Sequence, residues 1–173
     1  MLVGTSIKLI DLDASASVSK RELVGTKYSS GYIAPEMLVL DVDGVATVRE
    51  DRDLICADPS QGMWALGCIL YYLSSAQSLF HVNTDDNLGS PEDHETLVKW
   101  DMRTKEKKLS LIHEHMAKNL VSLLLNKDPT KRPDAAHVLS HPFLTGQRVS
   151  RLQGDKADWD IFLSYRVASE CKQ

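Results

Sequence analysis

The chain has 173 residues, of which 43% are hydrophobic and 25% charged, a composition typical of a globular domain and not of a disordered segment. Its 20 basic and 24 acidic residues give a net charge of −4, which argues against nucleic-acid binding and against attraction to a membrane surface. The three cysteines have no short paired spacing, and no apolar run could cross a bilayer, so we expect a cytoplasmic protein with reduced thiols.

The first predicted elements are a strand, a loop and a short helix. Residues 7–10 predict a strand that ends in an acidic turn at Asp11. Residues 14–30 are rich in serine and small side chains, which indicates an exposed loop. Residues 34–40 predict a short helix with Pro35 in its first turn, where the missing N–H costs nothing.

The middle of the chain predicts a hairpin and two helices. An Asp-Gly pair separates two β-prone runs within residues 39–48, which favours a hairpin, with a plain loop as the alternative. Residues 60–74 are apolar on nearly every helical face, which predicts a helix buried all round. Residues 84–93 are rich in turn formers, and an amphipathic helix is predicted over residues 92–103.

The last part of the chain predicts two more helices and a change of composition. Apolar residues recur at helical spacing from Met116 until Asp128, and Pro133 opens the next helix. Residues 146–158 are polar and indicate a linker. Residues 159–173 begin with a strand-like run and continue as a segment compatible with a helix.

Three separated stretches fit a single template. Residues 7–13 end in Asp-Leu-Asp, residues 31–36 have the sequence GYIAPE, and residues 128–133 have the sequence DPTKRP, followed by VLSHPF. In this order they resemble the metal-binding turn, the end of the activation segment and the last helices of a eukaryotic protein kinase of the serine/threonine type. The resemblance covers residues 1–145 and implies a mainly α fold, the large (C-terminal) lobe of a kinase.

The resemblance also has a gap. No glycine-rich phosphate loop, strand lysine or His-Arg-Asp catalytic loop precedes Asp11. We therefore expect a lobe truncated before the catalytic loop, with the general base and the phosphate lysine upstream of Met1 and no catalytic residue in this chain. The intact parent domain would bind ATP and Mg²⁺ and act on a protein substrate.

The resemblance assigns candidate site residues. Asp11 takes the place of the aspartate that holds Mg²⁺ and ATP, and Asp13 is a second candidate metal ligand. Taken alone, Asp11 would fit a turn aspartate that caps its neighbours. Ser29 and Tyr32 fall in the activation segment, where the substrate docks. The remaining candidate phosphorylation sites on this loop are hydroxyl side chains: Ser15, Ser17, Ser19, Thr26 and Ser30.

Glu36 and Arg132 form a buried structural ion pair in the family, so we expect the two side chains to meet although they are far apart in sequence. Two positions depart from the family pattern. Asp13 replaces a glycine, and Gly62 replaces an aspartate that braces the catalytic loop. Both departures favour a pseudokinase parent.

Other candidate sites are weaker. His113 and His115 stand two apart, whereas zinc ligands on a helix stand four apart, so a polar helix start is the better interpretation. Trp64 and Trp100 have no basic patch around them and are predicted to lie in the core or in a groove.

The C-terminal octet, residues 159–166, resembles the opening strand of a Toll/interleukin-receptor (TIR) domain. This resemblance implies homotypic TIR-type contacts in the parent protein. The sequence thus predicts a serine/threonine protein kinase whose fragment is inactive alone. The alternatives are a pseudokinase scaffold and a TIR-type signalling protein.

Overall fold

A computed structural model describes residues 2–3, 6–7, 16–20, 29–40, 46–48 and 56–146. These residues are mainly helical, as expected. The six α-helices are α1 (Pro59–Ser75), α2 (Pro91–Val98), α3 (Met102–Leu109), α4 (His115–Leu124), α5 (Ala135–Leu139) and α6 (Pro142–Thr145). None of the helices in these ranges is long and apolar enough to span a membrane.

Within the described ranges, four short strands form two antiparallel pairs. The first pair joins β1 (Leu2–Val3) to β2 (Ser6–Ile7), and the second joins β3 (Leu38–Leu40) to β4 (Ala46–Val48). The second pair confirms the predicted hairpin, since its strands flank the Asp-Gly sequence. The predicted strand over residues 7–10 meets β2 only at Ile7, because residues 8–10 lie outside the described ranges.

The helix predicted over residues 34–40 is wrong in length. A single 3-10 turn, Pro35–Met37, is followed at once by strand β3. Leu38 has extended backbone angles, and β3 pairs with β4 from Leu38 to Leu40. Pairing with a neighbouring strand therefore overrides the local helical preference of this segment.

Capping residues define both ends of helix α1. The Asp58 side chain accepts a hydrogen bond from the Ser60 N–H at 2.8 Å, and Gln61 completes a capping box. Ala76 ends the helix in the left-handed region, with φ +56°. The expected all-round burial is wrong at the C-terminal end, because Tyr72 and Leu73 are more than half exposed.

The single helix predicted over residues 92–103 is two helices, α2 and α3. Trp100 stands between them with 1% exposure, and its indole N–H donates to the Leu125 carbonyl at 3.0 Å. Asp101 then caps α3 by accepting from the Thr104 N–H at 2.7 Å. The buried indole of Trp100 and the Asp101 cap therefore account for the break between α2 and α3.

The last helices also begin at side-chain caps. Glu114 accepts from the N–H groups of Met116 and Ala117 at the start of α4, and Asp134 accepts from the His137 N–H at the start of α5. The two predicted helices of this region are therefore confirmed, with α6 added after them.

The core lies between α1, α4 and the segment that joins α2 to α3. Its centre is aromatic: the Trp64 and Trp100 rings meet edge to face at 5.5 Å, and the Phe80 and Trp100 rings at 5.7 Å. Of the two placements predicted for these tryptophans, core or groove, the structure shows the core. The remaining large side chains with less than 2% exposure are Tyr71, Leu97, Leu120, Leu124, Leu125 and Val121.

Candidate functional site

Residues 29–36, which include the residues predicted to dock the substrate, are called the docking segment below. Short turns order this segment. Ser29 precedes a 3-10 turn, Ser30–Tyr32, and the backbone then extends through Ile33 before the next turn begins at Pro35. Ser29 and Tyr32 are partly exposed, whereas Ser30 is buried with 8% exposure. Packing of Ile33 and Ala34 in the core fixes this segment to the helical body.

Glu36 and Arg132 meet as predicted. The carboxylate of Glu36 accepts two parallel hydrogen bonds from Arg132, from Nη1 to Oε1 and from Nη2 to Oε2, both at 2.7 Å. The Arg132 side chain is fully buried and that of Glu36 is 26% exposed. Such a bidentate geometry is the strongest form of an ion pair between side chains.

The remaining N–H groups of Arg132 bind backbone carbonyls. Nε donates to Asn126 at 2.8 Å, Nη1 also donates to Ser60 at 3.0 Å, and Nη2 also donates to Lys127 at 3.2 Å. The guanidinium also lies over the Trp64 ring, 5.1 Å from its centroid. A buried charge with this many partners is well compensated. Arg132 therefore joins the docking segment to α1 and to the end of α4.

A small open cleft of about 240 Å³ adjoins the ion pair. Its lining residues are Glu36, Asp58, Ser60, Gln61, Pro129 and Thr130. Hydrogen bonds from Ser60 lower the pKa of Asp58, and the charge of nearby Arg132 lowers it further, so this carboxyl is ionised at neutral pH. The cleft thus presents carboxylates without a free cation among its lining residues.

The buried Cys68 thiol does not provide a nucleophile. Burial raises the pKa of Cys68 to about 12, so the thiol stays protonated at physiological pH. Cys56 and Cys68 are free cysteines, which agrees with the predicted reduced state.

The predicted metal ligands Asp11 and Asp13 lie outside the described residues, as do Ser15 and Thr26. Within the described ranges, no group of three or more His, Cys, Asp or Glu side chains could hold a metal ion. His113 and His115 flank Glu114, the cap of α4, in agreement with the interpretation as a helix start.

Gly62, the second departure from the family pattern, lies in the first turns of α1. It is exposed, and a Cβ atom built there would meet nothing within 4 Å. Asp58, one turn earlier in the sequence, is occupied as the cap of α1. The Asp58 carboxylate is therefore engaged at the helix start, and Gly62 itself has no side chain that could act as a brace.

Sequence reasoning missed two sets of partners at this site. The carbonyl acceptors of Arg132 carry no sequence signal because every residue has a carbonyl. Ser30 also hydrogen-bonds to Asn87, which lies 57 residues further along the chain. No local pattern connects these two residues, and only the tertiary fold brings them together.

The sequence is similar to those of known protein kinases. The family model described as the protein kinase domain matches residues 1–144. A calcium and calcium/calmodulin-dependent serine/threonine-protein kinase of Medicago truncatula is 30% identical over 150 residues, which cover 86% of this chain and 25% of the relative. An inactive serine/threonine-protein kinase/endoribonuclease IRE1-like protein of Arabidopsis thaliana is 33% identical over 124 residues, covering 72% of this chain and 18% of the relative.

Among solved structures, the autoinhibited serine kinase domain of the giant muscle protein titin is 22% identical, with a TM-score of 0.45, and the match covers 72% of this chain and 32% of that one. The chain spans about a quarter of the length of the curated relatives that it matches first. The family model covers most of the sequence, and the chain belongs to the protein kinase domain family.

Proposed function

We propose that this chain is the large-lobe part of a serine/threonine protein kinase that transfers the γ-phosphate of ATP to a protein hydroxyl. The observation that carries the proposal is the bidentate Glu36–Arg132 pair, which fastens the docking segment to the helical core. The family match and the serine/threonine kinase names of the relatives support it. Within the segment, Ser29 and Tyr32 are the candidate residues for contact with substrate.

We also propose that the intact parent domain binds ATP and Mg²⁺. Asp11 would hold the metal, with Asp13 as the second candidate, because carboxylate oxygens are preferred ligands of Mg²⁺. The bound metal would neutralise phosphate charge during transfer. Both aspartates fall outside the described residues, so the proposal rests here on sequence resemblance.

The domain division is likewise a proposal: a kinase large lobe over residues 1–145, a linker over 146–158 and the start of a TIR-like domain over 159–173. The last two segments lie outside the described residues apart from Gly146. Cysteine usage supports a cytoplasmic location.

Phosphotransfer assays test the function. The 173-residue chain, and a chain extended upstream through a His-Arg-Asp catalytic loop, are incubated with labelled ATP, magnesium and a basic protein. We expect incorporation only by the extended chain. In that chain Asp11→Asn should abolish the activity, whereas Asp85→Asn, at an exposed loop position, should leave it unchanged. Incorporation by the 173-residue chain that Asp11→Asn abolishes would contradict the fragment proposal.

A pseudokinase scaffold is the second candidate function. Gly62 favours it, because this position lacks the bracing side chain and the surrounding space stays empty. One curated relative is itself named as inactive. An upstream sequence without a His-Arg-Asp loop, or an extended chain that contains one and still transfers no phosphate, would favour the scaffold over the enzyme.

A further inference from the structure

The loop formed by residues 81–89 contacts the docking segment through the buried Ser30. The Ser30 hydroxyl donates to Asn87 Oδ1 at 3.2 Å and accepts from the Leu88 N–H at 2.8 Å. The Ser30 N–H also donates to Asn87 Oδ1, at 3.2 Å. One serine therefore makes three hydrogen bonds to two neighbouring residues of the loop.

Gly31 brings the two segments closer still. Its N–H donates to the Asp86 carbonyl at 2.9 Å. A Cβ atom at this position would lie 2.5 Å from Val82 Cγ1 and 2.8 Å from the Asp86 carbonyl oxygen. Because the second of these atoms is backbone, no side-chain rotation can make room, and only glycine allows this approach.

The loop is held in shape from within. The Asn83 side chain accepts from the N–H groups of Asp85 and Asn87, at 2.9 and 3.0 Å, and the Asn83 N–H donates to the Asn87 carbonyl at 2.8 Å. Asp86 adopts φ +59°, a left-handed conformation that non-glycine residues seldom take. Its carbonyl accepts the hydrogen bond from Gly31, so an unfavourable backbone conformation is kept where the two segments meet.

We propose that the loop 81–89 sets the conformation of residues 29–32, with Asn87 and Ser30 as positioning residues for substrate docking. A docking role for these residues rests on the proposed function. The contacts themselves lie among described residues, and they act from the side of Ser30 and Gly31, leaving Ser29 and Tyr32 partly exposed.

The proposal also gives Ser30 a role other than phosphorylation. Its hydroxyl is buried and already acts as both donor and acceptor. A phosphate on Ser30 would remove the donor to Asn87 and place charge in a closed contact. Modification and the contact with Asn87 therefore exclude each other.

Hydrogen exchange on the full chain tests the proposal. Asn87→Ala should speed exchange of the Ser30, Gly31 and Leu88 amides by roughly ten-fold, because two hydrogen bonds to Ser30 are lost. Amides at the centres of α1 and α4 should keep their rates. Asn87→Asp is the conservative variant, since Oδ1 of Asn87 accepts both hydrogen bonds from Ser30 and a carboxylate oxygen can accept them too. It should restore slow exchange.

Two further variants sharpen the result. Ser30→Ala should speed exchange at Leu88 by a similar factor, and adding Asn87→Ala to it should bring little further increase, since the two residues share the contact. Asp85→Ala removes an exposed side chain from the same loop and should change none of these rates.

Unchanged exchange at all three amides in Asn87→Ala would overturn the proposal. So would an Asn87→Asp variant that exchanges as fast as Asn87→Ala, because the acceptor would then not be the positioning group. The measurement needs neither ATP nor phosphoryl transfer. Its failure would leave the proposed function standing, and an absence of kinase activity would not alter its outcome.

Discussion

Gly67 on α1 lies against Leu125, at the end of α4, with no room for a side chain between them. A Cβ atom on Gly67 would stand 2.9 Å from Leu125 Cδ2 and 3.0 Å from Leu124 Cβ. Real Cβ atoms essentially never come so close to another heavy atom as the first of these distances. The absence of a side chain at Gly67 therefore sets how closely α1 approaches the last turn of α4.

Gly67→Ala should destabilise the chain by about 1–3 kcal/mol, the usual cost of inserting a methyl group into a packed core. The loss should appear as a lower midpoint in denaturant unfolding with an unchanged slope.

Gly62→Ala is the matched control in the same helix. Space around Gly62 is open, so alanine should be accommodated without strain and should stabilise α1 by up to about 1 kcal/mol through its higher helix propensity. Equal effects at the two positions would contradict the account of α1 packing.

The Glu36–Arg132 pair should show strong coupling. Each single change to Ala should cost roughly 3 kcal/mol or more, because it leaves a charge without its main partner in a buried or half-buried place. The double mutant should lose much less than the sum of the two. A denaturant double-mutant cycle measures this difference directly.

Lys131→Ala is the control for the ion-pair cycle. Lys131 is the neighbour of Arg132, and its pair with Asp128 is long, at 3.6 Å, and exposed on both sides. Exposed pairs contribute little to stability, so the unfolding midpoint should hardly move. Additive losses for Glu36 and Arg132 would show that the pair does not fasten the docking segment.

His141 should make the stability of the chain depend on pH. Its Nδ1 accepts from the Phe143 N–H at 3.2 Å, so the neutral ring carries its proton on Nε2, which lies 2.9 Å from Asn119 Oδ1. Burial lowers the pKa of His141 from its ordinary value of 6.5, and nearby Glu114 offsets this in part. A protonated Nδ1 cannot accept the hydrogen bond that caps α6.

Because the folded state lowers the pKa of this base, its contribution to stability is complete above pH 6.5 and is lost as the pH falls through the folded pKa. The melting temperature should therefore decline as the pH is lowered from 7.5 to about 5. A titration of the His141 ring by NMR should give a pKa below the ordinary value for histidine. His141→Asn, which can cap the helix but does not titrate, should decline less steeply. An identical decline in both proteins would assign the effect to other groups.

Removing residues 147–173 should leave the melting transition of the helical part nearly unchanged. Residues 159–166 are strand-like and carry the apolar side chains Trp159, Ile161 and Phe162, so we expect a β-prone segment that promotes aggregation. The shortened chain should stay soluble at higher concentration. Slow hydrogen exchange across residues 159–165, comparable to that around Trp64, would instead make the segment an integral part of the fold.

Much of the helical fold was predictable because its signals are local. The apolar run of α1 and the spacing around Leu120 in α4 each predicted a helix that the structure contains. The break at Trp100 was not predictable, because amphipathic spacing continues across it and the helix ends at a tertiary contact, the buried bond to Leu125, next to the Asp101 cap of α3. In the same way, residues 38–40 became a strand because β4 pairs with them.

In the candidate site too, contacts that involve a sequence motif were predictable and contacts that depend on the tertiary fold alone were not. The motif around Arg132 was sufficient to predict its pairing with Glu36 across 96 residues. The contact between Ser30 and Asn87 was not predictable, since neither residue belongs to a motif and their meeting depends on the shape of an irregular loop. The metal ligation expected at Asp11 stays a prediction.

The aromatic centre of the core makes the chain its own spectroscopic reporter. Two of its three tryptophans, Trp64 and Trp100, are fully buried in edge-to-face contact, and one of them lies beneath the charge of Arg132. The third, Trp159, belongs to the C-terminal segment. In a chain that ends at residue 146, tryptophan fluorescence would come from the core alone. The emission wavelength and intensity would then change when the Arg132 charge is removed or when the packing of α1 is altered, without an added label.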